Sequence, residues 1–484
     1  MLFNSLAFAI FLPIVFFLFW LVPQKYRWIV LLISSYYFYM SWNVKYVVLI
    51  LFTTFVSYCS ALLIPRYEKK SSKLTIMWLA VGASLFVLFF FKYLDFAQNT
   101  LIRVLNSFAI QLHPLTLKIM LPVGISFYTF QTLSYVIDVY KGEVEPERNF
   151  FKYATFVSFF PQLVAGPIER TKNLLPQIDC EHTFTYEKAS YGIKLMAWGF
   201  FKKIVIADNL GSMVDSVFNH PDEYQGFSFV LAVLFFTVQI YCDFSGYSDI
   251  AIGTAKLFDI DLMTNFKSPY FSASIQEFWR RWHISLSGWF RDYVYIPLGG
   301  SRVSKIRHYI NLCVTFLLSG LWHGAAFTYI VWGGLHGLMQ CVESFFFGKK
   351  LRSEHKEGGA KKGTLVWWIR VAVVFVLVAG AWCFFRAGSL SQAVYVLGHS
   401  VQGMGHPLAY IKNGFAAFDK GALLWLVFPL ILLGIYDYIA LTKDPLMEIS
   451  GLRKPIRYTI YYAFIFITLL LASFNSQEFV YFQF

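Results

Sequence analysis

Long, continuous apolar runs recur from one end of this 484-residue chain to the other. Runs of about 17 to 25 apolar residues are long enough to cross a bilayer as α-helices. A helix also satisfies its own backbone amides, which hydrocarbon cannot do. Transmembrane strands would instead alternate between apolar and polar residues, and these runs do not. The sequence therefore predicts an all-α, polytopic integral membrane protein.

The composition supports this class of protein and limits the alternatives. Hydrophobic residues make up 57% of the chain, aromatic residues 20% and charged residues 14%, which lies outside the range of water-soluble domains. The formal net charge is +13, and in a membrane chain such an excess of Lys and Arg is first of all a topology signal. Nucleic-acid binding is therefore not expected. The 6 cysteines form no C-x-x-C pair, so neither a disulfide framework nor a zinc site is predicted.

Basic clusters orient the predicted helices. Lys25 and Arg27 directly follow the first apolar run, which by the positive-inside rule places the N-terminus outside the cytoplasm. The basic stretches 264–307 and 349–363 are expected on the cytoplasmic side. Further spans are predicted near 28–43, 45–64, 76–95, 118–138 and 226–242, in two arms within 308–347, and near 365–384, 422–440 and 457–474. The total is about ten to twelve crossings, each of a length that suits a bilayer.

One membrane-embedded domain is expected over residues 1–484, because no polar stretch is long enough to fold alone. Residues 156–170 are too short and too interrupted by Pro and Gly for a crossing, which favours a re-entrant segment. Residues 188–206 fit an interfacial helix or a tilted span, and 387–420 fit a loop. The expected subdivision is N-terminal helices in 1–140, re-entrant and interfacial segments in 141–210, a core in 226–347 with a basic cytoplasmic face at 264–307, and C-terminal helices in 365–484.

Two histidines stand out inside the apolar stretch 308–347. His323 and His336 are ionisable groups where hydrocarbon is expected to surround them, which is costly unless they have a function. His323 falls near the turn between the two predicted arms, where glycines would leave room for a cavity. A neutral histidine in a dry site can act as a general base, and acyl transfer fits such a group. His336, flanked by glycines, is more readily interpreted as a packing residue bonded to a backbone carbonyl.

Other candidate groups have competing interpretations. Asp243 and Asp249 could form a proton path, as in a transporter, or could bond backbone amides at a broken helix, and the structural interpretation is favoured. A scaffold subunit is a third possibility, although it would not need a histidine in the apolar interior. Metal or haem ligation by the histidines is disfavoured by their spacing, and no permanently bound cofactor is expected.

The basic face suits a polyanionic substrate. Guanidinium groups bind phosphates well, so this face would fit coenzyme A or an acidic carrier protein. The candidate donor-binding residues on the face are Arg280, Arg281, Arg291 and Arg302.

Three motifs carry a resemblance to the membrane-bound O-acyltransferase family, close to its bacterial alginate O-acetylation branch. They are WRRWHISLSGWFRDYVYIPLGGSR at 279–302, LSGLWHGAAFTYIVWGGLHG at 318–337, and YCDFSGYSDIAIG at 241–253. The resemblance covers nearly the whole chain, and the motifs are specific in combination. It implies that His323 is the family's essential histidine and that His283 is its second one.

The resemblance also implies an architecture and a function. The fold would be a ring of tilted helices around a thin centre, with a donor tunnel from the cytoplasm meeting an outer funnel at the histidine. The enzyme would take an acyl group, most simply acetyl, from a cytoplasmic thioester of coenzyme A or a carrier protein. With an extracytoplasmic acyltransferase partner it would O-acylate an exported polysaccharide, from within the lipid of the bacterial inner membrane. D-alanyl transfer is the alternative within the family.

Overall fold

The computed structural model describes residues 1–110, 121–356, 362–473 and 479–480. These residues form α-helices joined by short turns, and no strand is found among them. The predicted all-α class is therefore confirmed. The chain divides into two compact units, Met1–Ile193 with Ala251–Met263, and Lys194–Ile250 with Thr264–Phe484. Two of the three unit boundaries fall within helices, α9 (Tyr186–Phe200) and α11 (Phe227–Lys256), and the third lies after Met263.

The first unit is built around α6 (Ile125–Lys141). Almost every residue of this helix is buried, including Gln131 and Asp138, because α3 and α4 both pack against it. Gln131 donates its amide N–H to the Phe156 carbonyl oxygen at 2.8 Å, so its polar group is satisfied in the interior. The other helices of this unit are α1 Leu6–Leu21, α2 Arg27–Met40, α3 Val47–Leu63, α4 Lys70–Leu88, α5 Leu94–Ser107, α7 Phe150–Ser158 and α8 Thr171–Asp179.

The second unit contains the hairpin of α14 (Lys305–His323) and α15 (Phe327–Lys356). A Cβ atom on Gly320 would overlap the Tyr329 carbonyl oxygen, and one on Gly333 would overlap that of Phe316. The two helices therefore touch through their backbones, which only glycine permits here. The other helices of this unit are α10 Asp208–Asn219, α12 Ile275–Arg281, α13 Ile284–Phe290, α16 Leu365–Arg386, α17 Leu390–His399, α18 Pro407–Ala416, α19 Lys420–Ala440, α20 Pro445–Ser450 and α21 Lys454–Leu471.

Five helical stretches among the described residues are long and apolar enough to cross a membrane. Each coincides with a predicted span or contains it. The total of ten to twelve crossings stays a prediction, as do the re-entrant segment and the orientation of the N-terminus. The five stretches are Val44–Arg66, Lys70–Ser107, Phe227–Lys256, Leu365–Arg386 and Lys420–Ala440.

Three sequence-based expectations about local structure were wrong. Helix α11 does not end near residue 242 but continues to Lys256. Helix α15 runs on to Lys356, into the stretch predicted as a basic loop, of which residues 357–361 lie outside the described residues. Residues 387–420 contain α17 and α18 in place of a loop. Helix α17 begins at a capping hydrogen bond, in which the Ser389 hydroxyl accepts from the Gln392 amide.

The basic stretch 264–307 was predicted to contain no membrane span, and the structure agrees with this prediction. It contains α12 and α13, of seven residues each, and the five-residue π-helical segment Arg291–Tyr295 that continues α13. These are too short to cross a bilayer. Part of the predicted span 118–138 and most of the aromatic C-terminal tail lie outside the described residues.

Replacing Gly333 by Ala tests the contact between α14 and α15. The added methyl group would overlap the Phe316 carbonyl oxygen, which cannot move without shifting a helix. Overpacking of this kind costs about 1 to 3 kcal/mol. We expect a lower melting temperature of the detergent-solubilised protein. The matched control is Gly380→Ala in α16, where a Cβ atom meets nothing within 4 Å, and equal melting temperatures for the two variants would contradict the role of this contact.

Candidate functional site

His323 is the last residue of α14. The helix ends there because Gly324 takes an extended conformation, with φ −160° and ψ 151°. The His323 side chain is only 3% exposed. Its ring lies 5.0 Å from those of Trp322 and Trp332 and 5.4 Å from that of Phe385, measured between centroids. The imidazole therefore lies among aromatic rings, as its apolar sequence context predicted.

His283 lies beside it. It precedes α13 with φ 44° and ψ 54°, a left-handed conformation that is uncommon for a residue with a side chain. Its ring is fully buried, contacts that of Phe244 edge-on at 4.6 Å, and lies 6.3 Å from the His323 ring. The second unit therefore brings together two histidines that are 40 residues apart in the chain.

A buried asparagine holds His283. The Asn265 side-chain oxygen lies 3.0 Å from His283 Nδ1 and accepts the Ser285 hydroxyl at 2.9 Å. The Ser285 backbone N–H also donates to this oxygen at 3.4 Å, while Asn265 Nδ2 donates to the Ser248 hydroxyl at 3.3 Å. Sequence reasoning missed Asn265, because a single asparagine in a turn carries no motif. Only its partners in space distinguish it.

Burial also sets the charge of His283. His283 lies in the stretch 264–307, in which no candidate membrane span is found. Burial lowers the pKa of its imidazole to about 3. The ring is therefore neutral at physiological pH. A neutral imidazole has one nitrogen free to accept a proton, which is what a general base requires.

His336 has a different partner from the one expected. The Trp279 indole N–H donates to His336 Nδ1 at 3.2 Å, in place of the predicted bond to a backbone carbonyl. The His336 ring is fully buried and stacks on that of Phe278, with an interplanar angle of 7°. These contacts agree with a packing role, which stays a prediction.

The four candidate arginines differ in how far their side chains are exposed to solvent. Arg280, Arg291 and Arg302 are exposed. Arg281 is partly buried and pairs with Glu277 one helical turn earlier, at 2.7 Å. Arg281 thus helps to hold α12 together. The three exposed side chains are better placed to meet a soluble anion, and their part in donor binding stays a prediction.

The acidic residues of α11 are paired with buried lysines. Lys203 lies 2.6 Å from Asp243 and 2.8 Å from Asp208, and Lys202 lies 2.6 Å from Asp249. Helix α11 passes through this region unbroken, so the expected broken helix was wrong. Each of these three carboxylates therefore has a lysine partner within the second unit.

The predicted tunnel and funnel stay a prediction. A cavity of about 420 Å³ lies in the second unit, but neither His283 nor His323 lines it. Within the described parts of the chain, no group of three or more His, Cys, Asp or Glu side chains could hold a metal ion. The residues that line the cavity include Val205, Asn209, Asp419, Trp425, Pro429 and Leu471.

The comparison with known proteins bears directly on this site. The family profile described as "MBOAT, membrane-bound O-acyltransferase family" matches residues 147–385, which include both neighbouring histidines. The probable alginate O-acetylase AlgI of Pseudomonas putida is 42% identical over 401 residues, covering 82% of this chain and 80% of that protein. The chain belongs to the membrane-bound O-acyltransferase family. It is therefore an O-acyltransferase and a multi-pass membrane protein.

Other members of the family are also similar. The peptidoglycan O-acetyltransferase of Helicobacter pylori is 37% identical over 455 residues, covering 86% of this chain and 83% of that protein. The teichoic acid D-alanyltransferase of Streptococcus thermophilus is 28% identical over 335 residues, covering 63% of this chain and 80% of that protein. Membership replaces the transporter and scaffold interpretations. The resemblance inferred from the three motifs is confirmed.

Replacing Lys203 by Ala tests whether the buried ion pairs are structural. The change would leave Asp208 and Asp243 buried without their cation. Removing one partner of a buried pair costs about 3 to 5 kcal/mol, so the melting temperature should fall sharply. Lys443→Ala, which breaks the exposed pair with Glu448, should change stability by less than about 1 kcal/mol. An unchanged melting temperature with lost acyl transfer would show a catalytic role for Lys203 instead.

Proposed function

We propose that this enzyme takes an acetyl group from a cytoplasmic thioester and moves it across the membrane for O-acetylation of an exported polysaccharide. The observation that carries the proposal is the pair of buried histidines, with ring centroids 6.3 Å apart, inside the region that matches the family. The names of the relatives from Pseudomonas and Helicobacter support acetyl transfer to a cell-surface polymer.

The chemistry requires one proton acceptor. A hydroxyl oxygen attacks the thioester carbonyl carbon, a C–O bond forms, the C–S bond breaks, and the hydroxyl proton must reach the departing thiolate. His323 takes this proton and passes it on. A single well-placed base contributes roughly 10² to 10⁴ in rate. His283 positions the thioester next to His323 and shapes the site around it.

The donor approaches from the cytoplasmic side. The exposed arginines at 280, 291 and 302 provide cationic groups for the phosphates of coenzyme A or the acidic surface of a carrier protein. Both donors are thioesters and substrates of the reaction. On the far side of the bacterial inner membrane, an extracytoplasmic acyltransferase partner receives the acyl group. The N-terminus lies on that outer side.

His323→Ala should abolish acyl transfer. The variant would remove the proton acceptor while leaving the aromatic rings around it in place. We expect loss of ester-linked acetyl groups from the exported polysaccharide, measured in cells whose only copy of the gene carries the change. The control is His406→Ala, since His406 is exposed and should leave the ester content unchanged.

The His323→Ala experiment needs a control for protein abundance, and two of its outcomes would contradict the proposal. The His323→Ala protein must reach the membrane at wild-type abundance, measured by immunoblot of the membrane fraction. Full ester content under that condition would refute the assignment. Ester-linked D-alanine on the polymer, in place of acetyl, would identify the other activity in the family and would exclude acetyl as the group transferred.

Arg280→Glu should raise the apparent KM for the thioester donor by about tenfold or more. The change reverses an exposed charge on the proposed donor face, and one charge-assisted hydrogen bond is worth about 1.5 to 3 kcal/mol. The measurement is acetyl transfer from acetyl-CoA by inverted membrane vesicles. Arg103→Glu reverses an exposed charge elsewhere and serves as the control. Equal KM values for both variants would remove Arg280 from the donor site.

A further inference from the structure

We propose that Asn265 is a positioning residue that holds His283 as the tautomer protonated at Nδ1, so that Nε2 is the nitrogen able to accept the proton that His323 takes up and passes on. The inference rests on the proposed function and gives His283 a more definite part in it than positioning the thioester. Asn265 itself does not touch the reacting atoms. It acts through the hydrogen bond of 3.0 Å between its side-chain oxygen and His283 Nδ1.

The orientation of the Asn265 amide follows from its neighbours. A backbone N–H can only donate, so the Asn265 atom that faces the Ser285 amide must be the oxygen. The amide nitrogen then faces the Ser248 hydroxyl, which can accept. Because the oxygen cannot donate, the hydrogen in the bond to His283 must lie on Nδ1. A neutral imidazole carries one N–H, so Nε2 has the free lone pair.

The same contacts fix the ring in space. The Ile284 backbone N–H donates to the Asn265 carbonyl oxygen at 2.9 Å, and the Lys267 N–H donates to the Arg281 carbonyl oxygen at 2.9 Å. These bonds join the segment around Asn265 to the left-handed turn at His283. Tautomer, ring orientation and backbone conformation are therefore set by one short stretch of chain.

The accepting nitrogen is otherwise unused by the protein. Among the described residues His283 Nε2 is buried and has no hydrogen-bond partner. Buried polar atoms are nearly always bonded, and exceptions are frequent at catalytic positions. The rings around His283 come from Phe244, Phe266, Trp322 and His323. His323 is the titratable group among them, and burial alone lowers the pKa of His283.

His336 provides the contrasting case in the same unit. An indole nitrogen can only donate, so the Trp279 N–H fixes His336 Nδ1 as an acceptor and puts the hydrogen on Nε2. Nε2 of His336 therefore carries the hydrogen, whereas Nε2 of His283 carries a free lone pair. Trp279→Phe removes the partner of a buried histidine without touching His283, which makes it a matched control.

The test compares two changes at Asn265 in the full-length protein, reconstituted in vesicles with acetyl-CoA as donor. Asn265→Ala removes the acceptor, and we expect kcat to fall about tenfold or more, by analogy with histidines whose orienting partner is removed at metal sites. Asn265→Asp keeps the acceptor but adds a negative charge, which raises the pKa of His283 by roughly 1 to 3 units. A base must be unprotonated, so the acid limb of the pH–rate profile should move to higher pH.

The controls separate positioning from packing. Ser285→Ala removes a second hydrogen bond to the same Asn265 oxygen, and like Trp279→Phe it should leave the pH profile in place. An Asn265→Asp enzyme with the wild-type profile would overturn the inference, as would an Asn265→Ala enzyme with full activity. Full transfer by His283→Ala would instead show that the proposed role of His283 is wrong, whereas loss in His283→Ala with no effect at Asn265 removes only the positioning role.

Discussion

The backbone contact between α14 and α15 fixes the positions of His323 and Trp332. At Gly320 and Gly333 each helix lies against a carbonyl oxygen of the other, so the hairpin cannot slide or separate without losing the fit. The three-residue turn after His323 leaves that side chain at the end of α14. Trp332 on α15 then lies 5.0 Å from both His323 and His336, measured between ring centroids. A helix contact made by glycines thus places the aromatic surroundings of the site.

Ion pairing distinguishes the buried aspartates of the second unit from its buried histidines. Lys203 lies between Asp208 and Asp243, and Lys202 pairs with Asp249, so each of these carboxylates has a lysine partner. A carboxylate that took up a proton would lose its ion pair with the lysine. The imidazoles carry no such constraint. His283 is neutral, and both His283 and His323 are buried and lie close together, which suits proton transfer in a dry site.

Hydropathy and motifs predicted several membrane spans and both neighbouring histidines, and the wrong predictions have physical causes. The spans at α3, α16 and α19 follow from unbroken apolar runs, and His283 and His323 follow from motifs. Helix α11 was predicted too short because Asp243 and Asp249 look like a break, whereas their lysine partners lie 40 and 47 residues earlier in the chain. Helix α17 was missed although Ser389 and Gln392 have the spacing of a capping box. Asn265 was not predicted, because its partners His283, Ser285 and Ser248 are distant from it in the sequence.

The inferred tautomer of His283 restricts how it can work beside His323. With Nδ1–H of His283 committed to Asn265, its remaining nitrogen can take up one proton but cannot polarise a thioester carbonyl beforehand. A second positive charge on His323, 6.3 Å away between ring centroids, would be strongly disfavoured in such apolar surroundings. The pair can therefore hold one proton at a time. In the proposed function, transfer of an acyl group from a thiol to a hydroxyl moves one proton, from the attacking oxygen to the departing sulfur, so the reaction requires the pair to hold no more than one proton.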